Sequence, residues 1–426
     1  MVRGKNMQKV VIIGLGKSGM AAARLVAVQG HTVFISELKK DHATASSIDL
    51  LVDEKTVNRA NIEVGLHTDK FIKGSDLMVI SPGVGPNSIA VKLAEDRGIP
   101  IISELELGYS ACLAPILAVT GTSGKTTVTT LIGQMLSSQG RDTIVCGNIG
   151  NPLSKEIGII KKDSIVVLEV SSFQLERIKT FKPKSSIILN ISDNHLDRHK
   201  DIEEYIGLKK KIFLNQGKGD VVFLNGKDKL LREISQDIKA RVEFFDTYKD
   251  FGNRFNIRNE NFLAAMSMAS LEGVSEDVML DVILRFKGIE HRLEHAGSRD
   301  GVDFINDSKA TTVSSVEWAL RSLDGRIILI MGGRYKGGDF GRLKASLDKK
   351  VDLVIAIGEA SSEIKAHLNG YRDIVEGKDL EDAVGIAFKR AKKGHKILLS
   401  PGCSSFDMFK NYEERGRVFK ELCNSQ

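Results

Sequence analysis

Short, near-continuous apolar runs, separated by stretches with apolar residues at helical spacing, constrain this chain more than any other feature of it. Residues 10–13, 32–35, 77–80 and 99–102 read as strands, and residues 20–29 carry apolar side chains at helical spacing. A second series runs through 116–119, 143–146, 165–169, 186–189 and 220–224, and a third through 302–305, 327–331, 351–357 and 396–399. Runs without polar alternation are buried on both faces, and strand–helix–strand repetition makes a parallel sheet covered by helices on both sides. The expected fold class is therefore α/β with three domains. Rossmann-like units at 1–103 and 289–426 flank a central P-loop mononucleotide-binding domain at 104–288.

Composition excludes the competing classes. Of the 426 residues, 42 % are apolar and 27 % charged, which fits neither a collagen-like, a coiled-coil nor a disordered chain. Glycine is abundant (40) and proline scarce (7), as tight strand-to-helix turns require. No apolar run approaches the ~18 residues of a membrane span. The apolar stretch near the start is too short for a signal-peptide core, and Met7 is as good a start as Met1. Four scattered cysteines without a CxxC pair point to a reducing cytoplasm. The net charge of +6 is spread over short lysine clusters, and with only 6 % aromatics no nucleic-acid stripe emerges. Neither nucleic acid nor a membrane is expected as a partner, and the chain is expected to be a monomer.

The most specific local signal is Thr120-Gly121-Thr122-Ser123-Gly124-Lys125-Thr126-Thr127, between a strand and a helix. Backbone N–H groups of such a turn, at the positive end of a helix, cradle phosphates. Lys125 would reach the β- and γ-phosphates of ATP, and Thr126 would bind Mg²⁺. Val119 stands where the strict G-x-x-x-x-G-K-[ST] pattern has its first glycine. A second signal, Gly14-x-Gly16-x-x-Gly19, opens the first helix, with Glu37 at the end of the next strand, 23 residues beyond Gly14. It suits NAD(P) or another anionic nucleotide. Polar residues also follow strands at Glu169, at Asn190 and on to His195, at Asn306–Thr311, at Gly332–Asp339 and at Ser400–Asp407. The carboxyl ends of parallel strands line ligand crevices.

TGTSGKTT, LEVSSFQLE, SDNHLDRH, IEHRLE, NDSKATT and SPGCSSFDMFKNYEERG, in this order and spacing, resemble the Mur ligases of peptidoglycan synthesis, specifically those that add D-glutamate. The resemblance covers essentially the whole chain. It implies an ATP-dependent ligase that phosphorylates the carboxylate of UDP-N-acetylmuramoyl-L-alanine, after which the amine of D-glutamate displaces phosphate. It implies that Gly121, Thr122, Ser123, Gly124, Lys125, Thr126 and Thr127 bind ATP, with Asn261, Arg292 and Asp307. Thr126 and Glu169 would hold one Mg²⁺, and His195 a second. Lys209 falls where the family carries a carbamylated lysine, and its neighbours Lys210 and Lys211 would favour the neutral amine that adds CO₂. Leu15, Lys17, Ser18 and Asn148 fall where the UDP-sugar is held. Lys309, Thr311, Lys336, Ser405 and Phe406 match the D-glutamate pocket, on a third domain that closes on ATP.

Three stretches depart from the family pattern. Ser36-Glu37-Leu38 replaces an Asp-Thr-Arg that grips uracil, only Asn261 is kept of a His-Asn-x-x-Asn, and Arg334-Tyr335 precede Lys336 in place of smaller residues. A dehydrogenase using Gly14–Gly19 leaves Lys125, Glu169 and His195 without a role. A non-catalytic P-loop switch, a sibling ligase adding another amino acid, and a folylpolyglutamate synthase are the other readings.

Overall fold

The computed structural model describes residues 8–191, 201–247, 259–286, 288–335, 337–371 and 373–425. The chain separates into two compact units, Met1–Arg285 and Phe286–Gln426.

The first unit contains two sheets. One is built from β1 (Lys9–Ile13), β2 (Thr32–Glu37), β3 (Ile62–Val64), β4 (Leu77–Ile80) and β5 (Ile101–Ser103), in the order β3-β2-β1-β4-β5, all parallel. Successive residues of β1 explain why it is central. Val10 and Ile12 enter the apolar cluster on one face, and Val11 and Ile13 the cluster on the other. Each such side chain contributes roughly 1.5–3 kcal/mol of burial. The second sheet holds β6 (Ile116–Thr120), β7 (Thr143–Gly147), β8 (Ile165–Glu169), β9 (Ser185–Ile188), β10 (Val221–Leu224) and β11 (Arg241–Phe244), in the order β11-β10-β9-β6-β8-β7, also parallel.

The second unit contains β12 (Glu294–Arg299), β13 (Val302–Asn306), β14 (Ile327–Gly332), β15 (Val351–Ile357), β16 (Ile374–Glu376) and β17 (Lys396–Leu399), in the order β12-β13-β17-β14-β15-β16. Ile327, Leu329 and Met331 of β14 face one core and Ile328 and Ile330 the other. The sheet is parallel except that β12 runs antiparallel to β13.

Four strands lie outside the sequence expectation: β3, β11, β12 and β16. All are sheet edges. An edge strand is paired on one side only and needs no continuous apolar run. β11, Arg-Val-Glu-Phe, alternates exposed and half-buried residues. Among the described residues no helix is long and apolar enough to cross a membrane.

Candidate functional site

In the first unit the phosphate loop leaves β6, whose five residues are buried, and enters the helix Lys125–Ser138. Gly124 is left-handed at φ +81°, and a Cβ there would collide with Asn261 Oδ1. Asn261 lies in the first turn of the helix Glu260–Leu271, so it closes on the loop predicted to hold ATP. Asn190, just past β9, fixes the loop from the other side. Its Oδ1 accepts from the N–H groups of Thr122 (3.1 Å) and Ser123 (2.9 Å).

Two lysines converge on one carbonyl. Lys125 Nζ donates to Gly121 O (2.8 Å) and Thr122 O (3.0 Å), and Lys209 Nζ donates to the same Gly121 O (2.9 Å). Lys209 is 1 % exposed and lies 4.5 Å above the ring of Tyr205, one helical turn earlier. The Tyr205 hydroxyl meets Thr122 Oγ1 at 3.2 Å. Burial first, and Lys125 second, pull the Lys209 amine well below the usual lysine range. The sequence reading credited Lys210 and Lys211 with this effect. Instead Lys210 pairs with Asp237 and Lys211 donates to Glu176 O, bonds that do not involve the loop.

Glu169 ends β8 and is 2 % exposed. One carboxylate oxygen accepts from Asn148 Nδ2 at 2.7 Å. The other, Oε2, is buried with no partner among the described residues, as is Thr120 Oγ1 on the neighbouring strand. An unpartnered buried carboxylate oxygen beside a phosphate loop, with the Thr126 side chain buried at the helix start, fits a divalent cation. His195 lies outside the described residues.

At the mouth of the first sheet, Leu15 N–H donates to the buried Glu37 carboxylate, which also accepts from Lys39 N–H (2.9 Å). The acid that a dinucleotide ribose would need is thus turned onto the glycine loop itself. Lys17 is exposed and Ser18 half-buried at the start of the helix Lys17–Val28. Ser36 meets His67 Nδ1 (2.7 Å) and Glu63 Oε1 (2.9 Å).

In the second unit, the loops after β13 and β17 are tied together by Arg415, which is fully buried. It donates to Ser308 Oγ (3.0 Å), Ser308 O (2.8 Å) and Cys403 O (3.3 Å). Burial brings its guanidinium down to about 10. Arg334 N–H donates to Ser404 O at 2.8 Å, joining the loops after β14 and β17. Lys309 Nζ stands 5.9 Å over the ring of Tyr412, and Thr311 is half-buried nearby in sequence. Ser405 is buried, whereas Phe406 is 56 % exposed. Lys336 lies outside the described residues. Asp307 accepts from Ser400 Oγ (2.8 Å) and Leu293 N–H (3.3 Å). Burial raises its carboxyl to about 7, against the pull of those bonds and of Arg292. Tyr205, Tyr412 and Arg415 were given no individual role by sequence, although Tyr412 and Arg415 lie within SPGCSSFDMFKNYEERG. Asn190 was placed at a strand end but not on the phosphate loop, and the signal for Tyr205 was its spacing of four residues from Lys209.

Comparison with known proteins gives concordant matches. Residues 8–103 match the Mur ligase MurD-like N-terminal domain, 119–296 the Mur ligase middle domain, and 291–403 the Mur ligase glutamate ligase domain. The UDP-N-acetylmuramoylalanine–D-glutamate ligase of Koribacter versatilis is 37 % identical over 99 % of this chain and 97 % of its own. The enzyme of the same name from Caldanaerobacter subterraneus is 38 % identical over 97 % of each. The same fold occurs in the solved structure of UDP-N-acetylmuramate-alanine ligase MurC from Thermotoga maritima, with TM-score 0.58, 18 % identity, and coverage of 98 % of this chain and 99 % of that one. It occurs also in the MurF ligase of Thermotoga maritima in complex with ADP, with TM-score 0.58, 16 % identity and coverage of 99 % and 96 %.

Proposed function

This chain belongs to the Mur ligase family, and from that premise we propose that it joins D-glutamate to UDP-N-acetylmuramoyl-L-alanine at the expense of ATP. The observation that carries the reading is the convergence of Lys125 and Lys209 on the phosphate loop. Identity of 37–38 % to D-glutamate ligases over nearly the full length supports the choice of amino acid.

A carboxylate is a poor electrophile, and phosphorylation gives it a leaving group. The polyanions that meet in this step need cations to neutralise them. Lys125 faces the γ-phosphate and withdraws charge as it transfers to the L-alanyl carboxylate. Thr126 and Glu169 would hold Mg²⁺, which supplies charge neutralisation between the phosphates when bound. His195 and a carbamylated Lys209 would hold a second ion. Burial and Lys125 draw the Lys209 amine toward its neutral form, which can add CO₂ with loss of a proton, and the resulting carbamate would set an anion beside Lys125. Asn261, Arg292 and Asp307 contact the nucleotide. Leu15, Lys17, Ser18 and Asn148 hold the UDP-sugar, with Ser36, Glu63 and His67 at the carboxyl ends of β2 and β3 in place of the family's uracil grip. Lys309, Thr311, Lys336, Ser405 and Phe406 receive D-glutamate, whose amine then attacks the acyl phosphate and releases phosphate. The domains are 1–103 for the UDP-sugar, 104–288 for ATP and 289–426 for D-glutamate, in a cytoplasmic monomer.

The test is phosphate release. It is expected only when ATP, Mg²⁺, UDP-N-acetylmuramoyl-L-alanine and D-glutamate are all present. Equal turnover with L-glutamate, or without the UDP-sugar, overturns the reading.

A further inference from the structure

We propose that Asn148 is a positioning residue for the Glu169 carboxylate, holding one oxygen so that the other is presented to a divalent cation at the phosphate loop. The strands β7 and β8 are adjacent, with Gly147 opposite Glu169 in the register. Past β7 the chain folds back onto Glu169. Gly147 N–H donates to Asn151 O (2.7 Å), closing the turn, and Asn148 N–H donates to Glu169 O (2.9 Å). Gly147 sits at φ +106°, and a Cβ there would collide with Glu169 O, so the turn lies directly on the Glu169 backbone. From this fixed base the Asn148 side chain reaches the carboxylate of the same residue, Nδ2 to Oε1 at 2.7 Å.

The two oxygens of Glu169 are thereby made unequal. A carboxylate at the end of a rotatable bond can offer either oxygen to a cation, at some cost in lost torsional freedom. A single donor on Oε1 removes that freedom. Oε2 is left buried with no partner among the described residues. Orienting bonds of this kind, one step behind a metal ligand, typically carry 10–100-fold in metal affinity. Asn148 is also a residue that the sequence resemblance implies for the UDP-sugar. Its Oδ1 remains an acceptor when Nδ2 is committed to Glu169. One amide can therefore serve the sugar and the metal site together.

The inference rests on the reading of Glu169 as a metal ligand, and the experiment separates the two. Mn²⁺ is titrated calorimetrically into the protein mixed with equimolar ADP, with Mn²⁺ into ADP as the blank. Asn148→Ala and Asn148→Leu are expected to weaken Mn²⁺ binding 10–100-fold with thermal midpoints close to the parent's. Asn148→Gln, which keeps the donor, should recover part of the loss. Glu169→Gln should weaken it at least as much. If Glu169→Gln binds Mn²⁺ like the parent, the metal reading itself fails. If Glu169→Gln loses Mn²⁺ but all three Asn148 variants bind within twofold of the parent, the positioning role is wrong, and Asn148 serves the sugar alone. Should Asn148→Ala and Asn148→Leu unfold, Asn148→Ser, whose hydroxyl is too short to reach Oε1, takes their place: a 10–100-fold loss of Mn²⁺ affinity supports the positioning role, and affinity within twofold of the parent's overturns it.

Discussion

Replacing Asp307 with Asn should change how the stability of the second unit depends on pH. The carboxyl is 3 % exposed, and burial raises it from 3.8 to about 7. Between those values the folded chain binds a proton that the unfolded chain has released. Stability therefore falls as pH rises through this window and levels off above it. The rise from 3.8 to about 7 corresponds to roughly 4 kcal/mol, more than half of which falls between pH 5 and pH 8. The amide introduced by Asp307→Asn would imitate the protonated acid, keeping an oxygen for Leu293 N–H and a donor for Ser400 Oγ. The variant lacks the slope and is the more stable form at pH 8. The chain has one tryptophan, and Trp318 lies in the helix Val313–Ser322 of the same unit. Urea unfolding followed by its fluorescence thus reads this unit, without nucleotide, from pH 5 to pH 9. If the difference between parent and variant stays constant within about 0.5 kcal/mol over that range, burial does not govern this carboxyl and the reasoning is refuted.

Further expectations concern the phosphate loop. Lys125→Ala should lower kcat by at least ~10³-fold while leaving the thermal midpoint nearly unchanged, and a loss below tenfold would remove the loop from catalysis. Lys209→Ala should nearly abolish phosphate release, with partial recovery on adding short carboxylic acids that fill the vacated space. Lys210→Ala and Lys211→Ala should retain most activity, and equal behaviour of all three would show that the buried position carries no carbamate.

The sequence by itself determined the central strands, the phosphate loop and the α/β class. These are local matters. A strand buried on both faces must be continuously apolar, and a loop that wraps phosphate must have glycines, a lysine and a hydroxyl in a fixed order, so each leaves its signature in a few consecutive residues. The edge strands β3, β11, β12 and β16 left none, because half-paired strands tolerate polar residues. The tertiary structure decided what distant residues do to one another. Lys209 stands in a run of three lysines that reads as a solvated helix face, yet only Lys209 is turned inward, onto Gly121 O and under the influence of Lys125. Arg415, flanked in sequence by Glu413, Glu414 and Arg417, also reads as surface. It is instead the buried tie between the loops after β13 and β17, more than a hundred residues from Ser308. Glu37 has the spacing of a ribose-binding acid, but the fold directs it to Leu15 N–H. In each case the charge is visible in the sequence, while its burial and its partner, which set what the charge can do, arise only where chain segments far apart in sequence pack together.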